Sequence, residues 1–372
     1  MKKNNTDLLK NLFIFDAHCD TANPLLAPSF DFRKNKYHHV DLEKIRRGGL
    51  NAQIFALYVN PVYAPHRSIK RTLLLYHILQ KKIFSPGYGR KVTSTIEMKS
   101  ALKENKLACW LSLEGGHAIE NSLEILEMYY FLGIRCMTLT HSKNTDWADS
   151  SAEAPRWDGL NSLGRTIVTH MEKMGMAIDV SHASDKTVED VLDTVSTPIM
   201  ASHSNARALC DIPRNLPNDL IQEIAERNGY IGVNFFPVFL KKSIYDQVSA
   251  NVKKYEHTHQ QILQRKHNPD SINTAEAKLF QKYVQGSDRA DVNAVIDHIE
   301  HIANIGGVDC VGLGSDYDGI NSTLSNMTDV SCYPTLLQGL IARGFTEKDI
   351  RKIMGQNLYH FLTQFDHRVK ER

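Results

Sequence analysis

The chain has 372 residues, 42% hydrophobic and 23% charged, and carries a formal net charge of +2. The length suits one large α/β domain over residues 1–372, and the dispersed, balanced Lys and Arg argue against a nucleic-acid or membrane-surface role. No run approaches transmembrane length, the start MKKNNTDLLKNLFIFD has no apolar stretch of signal-peptide size, and the tail FDHRVKER is not a lipid-anchor signal. A cytoplasmic protein is the expectation. Cys19, Cys109, Cys136, Cys210, Cys310 and Cys332 form no C-x-x-C pair and fit buried free thiols better than disulfides.

Taken in chain order, short apolar runs rich in β-branched residues predict strands near 13–18, 50–59, 107–114, 136–140, 177–181, 198–202, 230–235 and 310–315. Amphipathic segments lie between them. Glycines at 48–49, 133, 175, 229 and 306–307 stand just before the next strand, where a left-handed helix cap suits them. Eight strands alternating with helices predict a (β/α)8 TIM-like barrel, with a doubly wound sheet as the structural competitor. Two stretches exceed a plain connection. Residues 60–105 predict a helix over about 67–82, a break at Pro-Gly-Tyr-Gly and a second helix. Residues 236–290 predict helices beside the barrel mouth, acting either as a lid or as a solvated excursion.

The strand ends carry the functional signal. Strand one ends in His18-Cys19-Asp20, strand three in Glu114-Gly115-Gly116-His117 and strand four in Thr140-His141. Strand five ends in Asp179-Val180-Ser181-His182, strand six in Ser202-His203, and strand eight runs into Ser315-Asp316-Tyr317-Asp318. In a barrel these ends share one face, so distant residues converge on one pocket. Imidazole and carboxylate groups are ordinary Zn²⁺ ligands. His18 and Asp20, two apart on a strand end, can chelate one ion, and His182 with His203 a second. Glu114 lies between the groups and can bridge them. Two ions about 3.5–4 Å apart can polarise a carbonyl and hold a hydroxide nucleophile.

Other polar residues have plainer readings. Asp16 and Asp179 suit helix caps or partners behind the ligands. Cys19 alternates away from His18 and Asp20 into the core. The pair His257 and His259 lies in a polar helical segment and reads as solvated surface. His38, His39 and His117 stay open.

The stretches FDAHCDT (15–21), LSLEGGH (111–117), LTHSKNTDWADS (139–150), DVSHAS (179–184), ASHSNAR (201–207), IPRNLPND (212–219), VGLGSDYDG (311–319) and MGQNLYHF (354–361) occur in an order that resembles the membrane (renal) dipeptidase family of zinc hydrolases. The resemblance spans nearly the whole chain and points to a bacterial-type member. It implies that His18, Asp20 and Glu114 hold one zinc, and Glu114, His182 and His203 the other. It further implies that His141 contacts the substrate and stabilises the tetrahedral intermediate, that Arg214 grips the substrate's terminal carboxylate, and that Asp316 is the acid/base group. The implied activity is hydrolysis of dipeptides, with L,L and L,D substrates both open, by a homodimer. Cyclic-amide or lactam hydrolysis or deamination on the same barrel is the rival reading, although such sites often begin H-x-H where this one has H-x-D. A non-catalytic binding protein is the alternative from another class; a lost ligand would mark it, and none is lost.

Overall fold

The computed structural model describes residues 11–265 and 268–366. Most of the two terminal segments that bear on localisation thus lies outside the described residues. Eight parallel strands close a barrel: β1 (Ile14–Cys19), β2 (Leu50–Tyr58), β3 (Leu107–Glu114), β4 (Ile134–Thr138), β5 (Ala177–Asp179), β6 (Met200–Ala201), β7 (Tyr230–Val233) and β8 (Val311–Leu313). β2 pairs with β3 from Ala52 opposite Ala108 to Tyr58 opposite Glu114, and β8 pairs with β1 at Leu313 opposite Asp16. A further short strand, Gly89–Lys91, runs beside the start of β3 before β4 takes over that edge. It begins on the last glycine of the Pro-Gly-Tyr-Gly break and has too few residues to leave a periodic signal.

Some strands are shorter than their sequence patterns. The run 198–202 yields only Met200–Ala201, because the Ser202 N–H bonds to the Asp179 side chain at 2.9 Å instead of to a neighbouring strand. Helices stop as expected at Gly49 and Gly175, both left-handed. Residue 229 differs. Asn228 takes the left-handed conformation with φ 58°, while a side chain on Gly229 would meet the Ile199 carbonyl at 2.6 Å.

Phe15, Ala17, Ile54, Trp110, Cys136, Met200 and Tyr230 form one core cluster with Leu358, Phe361, Leu362 and Phe365 of the C-terminal helix (Asn357–Asp366). This helix closes the end of the barrel opposite the strand C-termini. Asn357 Nδ2 donates to the Val308 and Val311 carbonyls at 2.6 and 2.7 Å. The rest of the hydrophobic core lies between the barrel and its helices.

Both insertions are helical. The first holds helix Ser68–Leu79, which runs on into a wide turn at Gln80–Phe84, and then helix Thr95–Lys103. The second holds helices Lys242–Arg265 and Pro269–Tyr283. Among the described residues no helix is long and apolar enough to cross a membrane, and all six cysteines are free.

The seal beneath β1 depends on Gly355, where an added Cβ would sit 2.6 Å from the Phe13 carbonyl oxygen and 2.9 Å from the Phe15 nitrogen. Both are backbone atoms and can move only with the strand. Gly355→Ala is expected to lower stability by roughly 1–3 kcal/mol, the usual cost of overpacking. A thermal melt equal to wild type would show that the contact relaxes freely.

Candidate metal and active site

β1 aims its ligands through an irregularity. Phe15 and Ala17 belong to the core cluster inside the barrel, so strict alternation would turn His18 outward. Between Asp16 and Cys19, however, β1 gains one residue on β2, whose partners there are Gln53 and Phe55. Such a bulge re-aims side chains. His18 therefore faces the mouth, and Cys19 is fully buried in the outer core.

Glu114, 2% exposed at the end of β3, is the meeting point. Its Oε2 lies 3.4 Å from His18 Nε2, which is also 3.4 Å from Asp20 Oδ2. Its Oε1 lies 3.4 Å from His182 Nε2, 3.5 Å from His203 Nε2 and 3.7 Å from His141 Nε2. The Nε2 atoms of His182 and His203 are 2.8 Å apart. One carboxylate oxygen thus serves each histidine group. Asp316 joins the His18–Asp20 side, with ligand atoms of all three within 4.8 Å of one another.

The donor set suits divalent cations. His18 Nε2 and Asp20 Oδ1 are buried without a hydrogen-bond partner, a costly arrangement unless something answers them. Burial, with the Glu114 charge next, raises Asp20 to about 6. Burial also raises Asp316 to about 7, with His18 pulling it down and Asp20 pushing it up. Burial favours the neutral form of His18, yet the charges of Glu114 and Asp20 lift it well above its ordinary value. His182 and His203 go the other way, held well below theirs by burial and then by neighbouring positive groups. Neutral imidazoles at His182 and His203 suit metal coordination, whereas His18 must give up the proton that Glu114 and Asp20 favour.

Two aspartates stand behind these residues. Asp16 Oδ1 accepts the N–H groups of His18 at 3.2 Å and Ser315 at 2.9 Å, and its Oδ2 accepts the hydroxyls of Ser315 and of Tyr333, the latter at 2.6 Å. Asp179 makes the corresponding set around β5 and β6. Both act as partners behind the ligands, and neither is a helix cap.

Arg214 is brought to the same site. Its guanidinium donates to Ser204 Oγ and to the His203 carbonyl, both at 2.7 Å, and lies over the Phe239 ring. Burial lowers it to about 10, so it stays cationic at neutral pH. Burial, then Arg214 and His18, lower His141 to about 3, which leaves an uncharged ring whose buried Nδ1 has no partner. Every sequence-predicted site residue therefore converges: His18, Asp20, Glu114, His182, His203, His141, Asp316 and Arg214.

Two residues were not foreseen. Tyr58, ending β2, places its ring 4.5 Å from that of His141. Asn234, following β7, donates from Nδ2 to Asp316 Oδ2 at 2.9 Å. The strand-end rule, applied to strands two and seven as to the others, points to both. His117 instead bonds the Val59 carbonyl at 2.8 Å, and His39 braces Asp318. His257 is exposed as expected, but His259 is half-buried and bonds Glu276 at 2.8 Å.

Comparisons with known proteins show what the chain is similar to. Residues 2–371 match the family described as membrane dipeptidase, peptidase family M19. The chain is 29% identical to dipeptidase aclJ of Aspergillus oryzae, covering 97% of this chain and 80% of that protein. It is 27% identical to dipeptidase 3 of Macaca fascicularis, covering 98% and 67%. The crystal structure of the probable dipeptidase PvdM from Pseudomonas aeruginosa superposes with a TM-score of 0.85 at 25% identity over 98% of each chain. A metallopeptidase from Rhodobacter sphaeroides, liganded with a phosphinate mimic of L-Ala-D-Ala, shares the fold with a TM-score of 0.77 at 23% identity, covering 95% of this chain and 99% of that one. The chain belongs to the membrane dipeptidase family, M19, whose members are metal-dependent hydrolases of peptide bonds.

Proposed function

We propose that the chain is a cytoplasmic, homodimeric dipeptidase, acting as one domain, that cleaves L,L and L,D dipeptides with two zinc ions shared through Glu114. The supporting observation is the division of Glu114, with Oε2 toward His18 and Oε1 toward His182 and His203. Zinc bound there would supply a Lewis acid for the scissile carbonyl and a hydroxide near neutral pH.

The chain's own groups supply the remainder. Asp316, steered by Asn234, can take a proton from water and return it to the leaving amine. His141 is uncharged, so it serves as an N–H donor to the oxygen on which negative charge develops. Arg214 keeps guanidinium donors beyond the two that brace it, and its Nε is buried without a partner. That cation suits a free α-carboxylate, which a dipeptide presents beside its scissile bond and a protein chain does not.

Glu114→Gln keeps the volume and removes the charge that both histidine groups share. It should cut turnover at least a hundredfold with little loss of melting temperature, and metal analysis should show fewer ions per chain. Near-native turnover would end the bridging role.

Arg214→Met addresses the substrate's end. Losing a charged bidentate contact in a partly dry pocket costs roughly two orders of magnitude in kcat/KM. The loss should fall on dipeptides and spare their C-terminal amides, narrowing the gap that wild type shows, with metal content unchanged. Equal loss on both substrates, together with stability, would make Arg214 a loop brace instead.

The dimer rests on family resemblance, and exposed Phe131 and Met128 on helix Leu123–Phe131 offer it apolar surface. Sedimentation of protein from the soluble cell fraction should give twice the chain mass at micromolar concentration; a monomer would remove the dimer.

A further inference from the structure

The two ring nitrogens of His203 meet different surroundings. Nε2 faces the cluster, 2.8 Å from His182 Nε2 and 3.5 Å from Glu114 Oε1. Nδ1 faces outward, 2.7 Å from Ser202 Oγ. A neutral imidazole carries one proton, and only its bare nitrogen has a lone pair for a metal. What Nδ1 meets therefore decides whether Nε2 is available.

Ser202 Oγ has one hydrogen and three neighbours able to accept it: His203 Nδ1, Asp179 Oδ2 at 2.6 Å and, at the longer distance of 3.3 Å, Ser181 Oγ. The other contacts of Asp179 settle the competition. Its Oδ1 takes the backbone N–H groups of Ser181 at 3.0 Å and Ser202 at 2.9 Å, and its Oδ2 also takes the Thr138 hydroxyl at 2.6 Å. Backbone N–H groups can only donate, so Oδ1 is fixed as an acceptor, and Oδ2 faces two hydroxyls, each with a hydrogen to give. A carboxylate oxygen draws a hydroxyl hydrogen more strongly than a neutral ring nitrogen does. Ser202 therefore turns a lone pair toward His203, and Nδ1 must hold the proton.

We infer that Ser202 is a positioning residue that passes the polarity of Asp179 to His203, holding its ring as the Nδ1–H tautomer with Nε2 bare. This rests on the reading of His203 as a metal ligand. The competing account is that Asp179 and Ser202 only tie β5 to β6.

Asp179→Asn separates the two accounts. The new amide can keep its oxygen on the two backbone N–H groups and place its nitrogen where Oδ2 was. That nitrogen donates to the Thr138 and Ser202 hydroxyls, which turn to receive it, so the tie between strands survives. The Ser202 hydrogen is then free to point at His203 Nδ1, and the ring proton moves to Nε2. Polarity inverts while packing stays.

The experiment uses the full chain, stripped of metal and labelled with ¹⁵N-histidine, in wild type, Ser202→Ala, Ser202→Thr and Asp179→Asn. Nitrogen chemical shifts of His203 report its tautomer, and zinc titration against a competing chelator reports affinity. Wild type should show Nδ1–H, Asp179→Asn should show Nε2–H, and Ser202→Ala a mixture. Zinc should bind Ser202→Ala and Asp179→Asn about 10–100-fold more weakly, the usual effect of losing a ligand's outer partner. Ser202→Thr, which keeps the hydroxyl, should bind as wild type does. Should Ser202→Ala fail to fold, the tautomer and affinity of Asp179→Asn decide. Wild-type Nε2–H, or a folded Asp179→Asn with unchanged tautomer and affinity, overturns the role of Ser202 and leaves the metal reading standing. A wild type that takes up no zinc overturns both.

Discussion

A carboxylate buried among imidazoles governs this structure. Glu114 is nearly inaccessible, and its polar neighbours are the Asp20 carboxyl and histidines contributed from β1 and from the ends of β4, β5 and β6. Removing that charge from water is unfavourable unless opposite charge or hydrogen bonds compensate it. Those groups come from positions 18 to 203 of the chain and meet only because the barrel closes. The long pairing of β2 with β3, from Ala52 to Tyr58, carries Glu114 to the mouth. Fold and site thus share one condition.

The precision of the cluster comes from behind it. Asp16 and Asp179 each precede a ligand-type histidine by two or three residues, and each takes two backbone N–H groups and two hydroxyls. Each ties its own strand end to the next, β1 to β8 and β5 to β6. With side chains replacing ladder bonds, the backbone departs from regular strand. His182 and Asp316 both adopt left-handed conformations, φ 66° and 61°. Such residues cost about 1–2 kcal/mol each and persist where surrounding bonds hold them. Here the Ser151 N–H bonds the His182 carbonyl at 2.8 Å, and the Asp316 N–H bonds the His18 carbonyl at 3.1 Å. Gly319 completes the arrangement by omission, since a Cβ there would lie 2.1 Å from Asp20 Oδ2 and 2.4 Å from Asp316 Oδ1.

Much of this was legible in the sequence, for a physical reason. Parallel strands buried on both faces read as apolar runs, and a polar residue that ends such a run must sit at the mouth. That logic located His18, Glu114, His141, His182 and His203. It did not reveal how β1 turns His18 inward, because a bulge is a property of pairing between two strands and leaves no mark on one. It gave Asn234 and Ser202 no role, although both fall in predicted strands, since amide and hydroxyl residues are common beside turns and only their partners make them specific. Arg214 came from family resemblance alone; nothing in IPRNLP says that the side chain reaches back to His203.

The second insertion shows the same boundary. Its composition fits a solvated excursion, and a lid fits its length. The structure shows where it is anchored. Asn60, just after β2, donates from Nδ2 to Asn273 at 3.1 Å and to Glu276 at 2.9 Å, while Tyr63 donates to Asp270 at 2.7 Å. His259 meets the other oxygen of Glu276 at 2.8 Å, so one buried carboxylate joins both insertion helices to the loop after β2. Asn321, in the segment after β8, holds the far end through the Phe280 carbonyl. Helix Pro269–Tyr283 therefore spans from β2 to β8, on either side of the β1 end that carries His18 and Asp20. Residues more than two hundred positions apart make this seam. A helical pattern read along the chain shows which face is polar but not what that face meets, and here it meets the rim of the site.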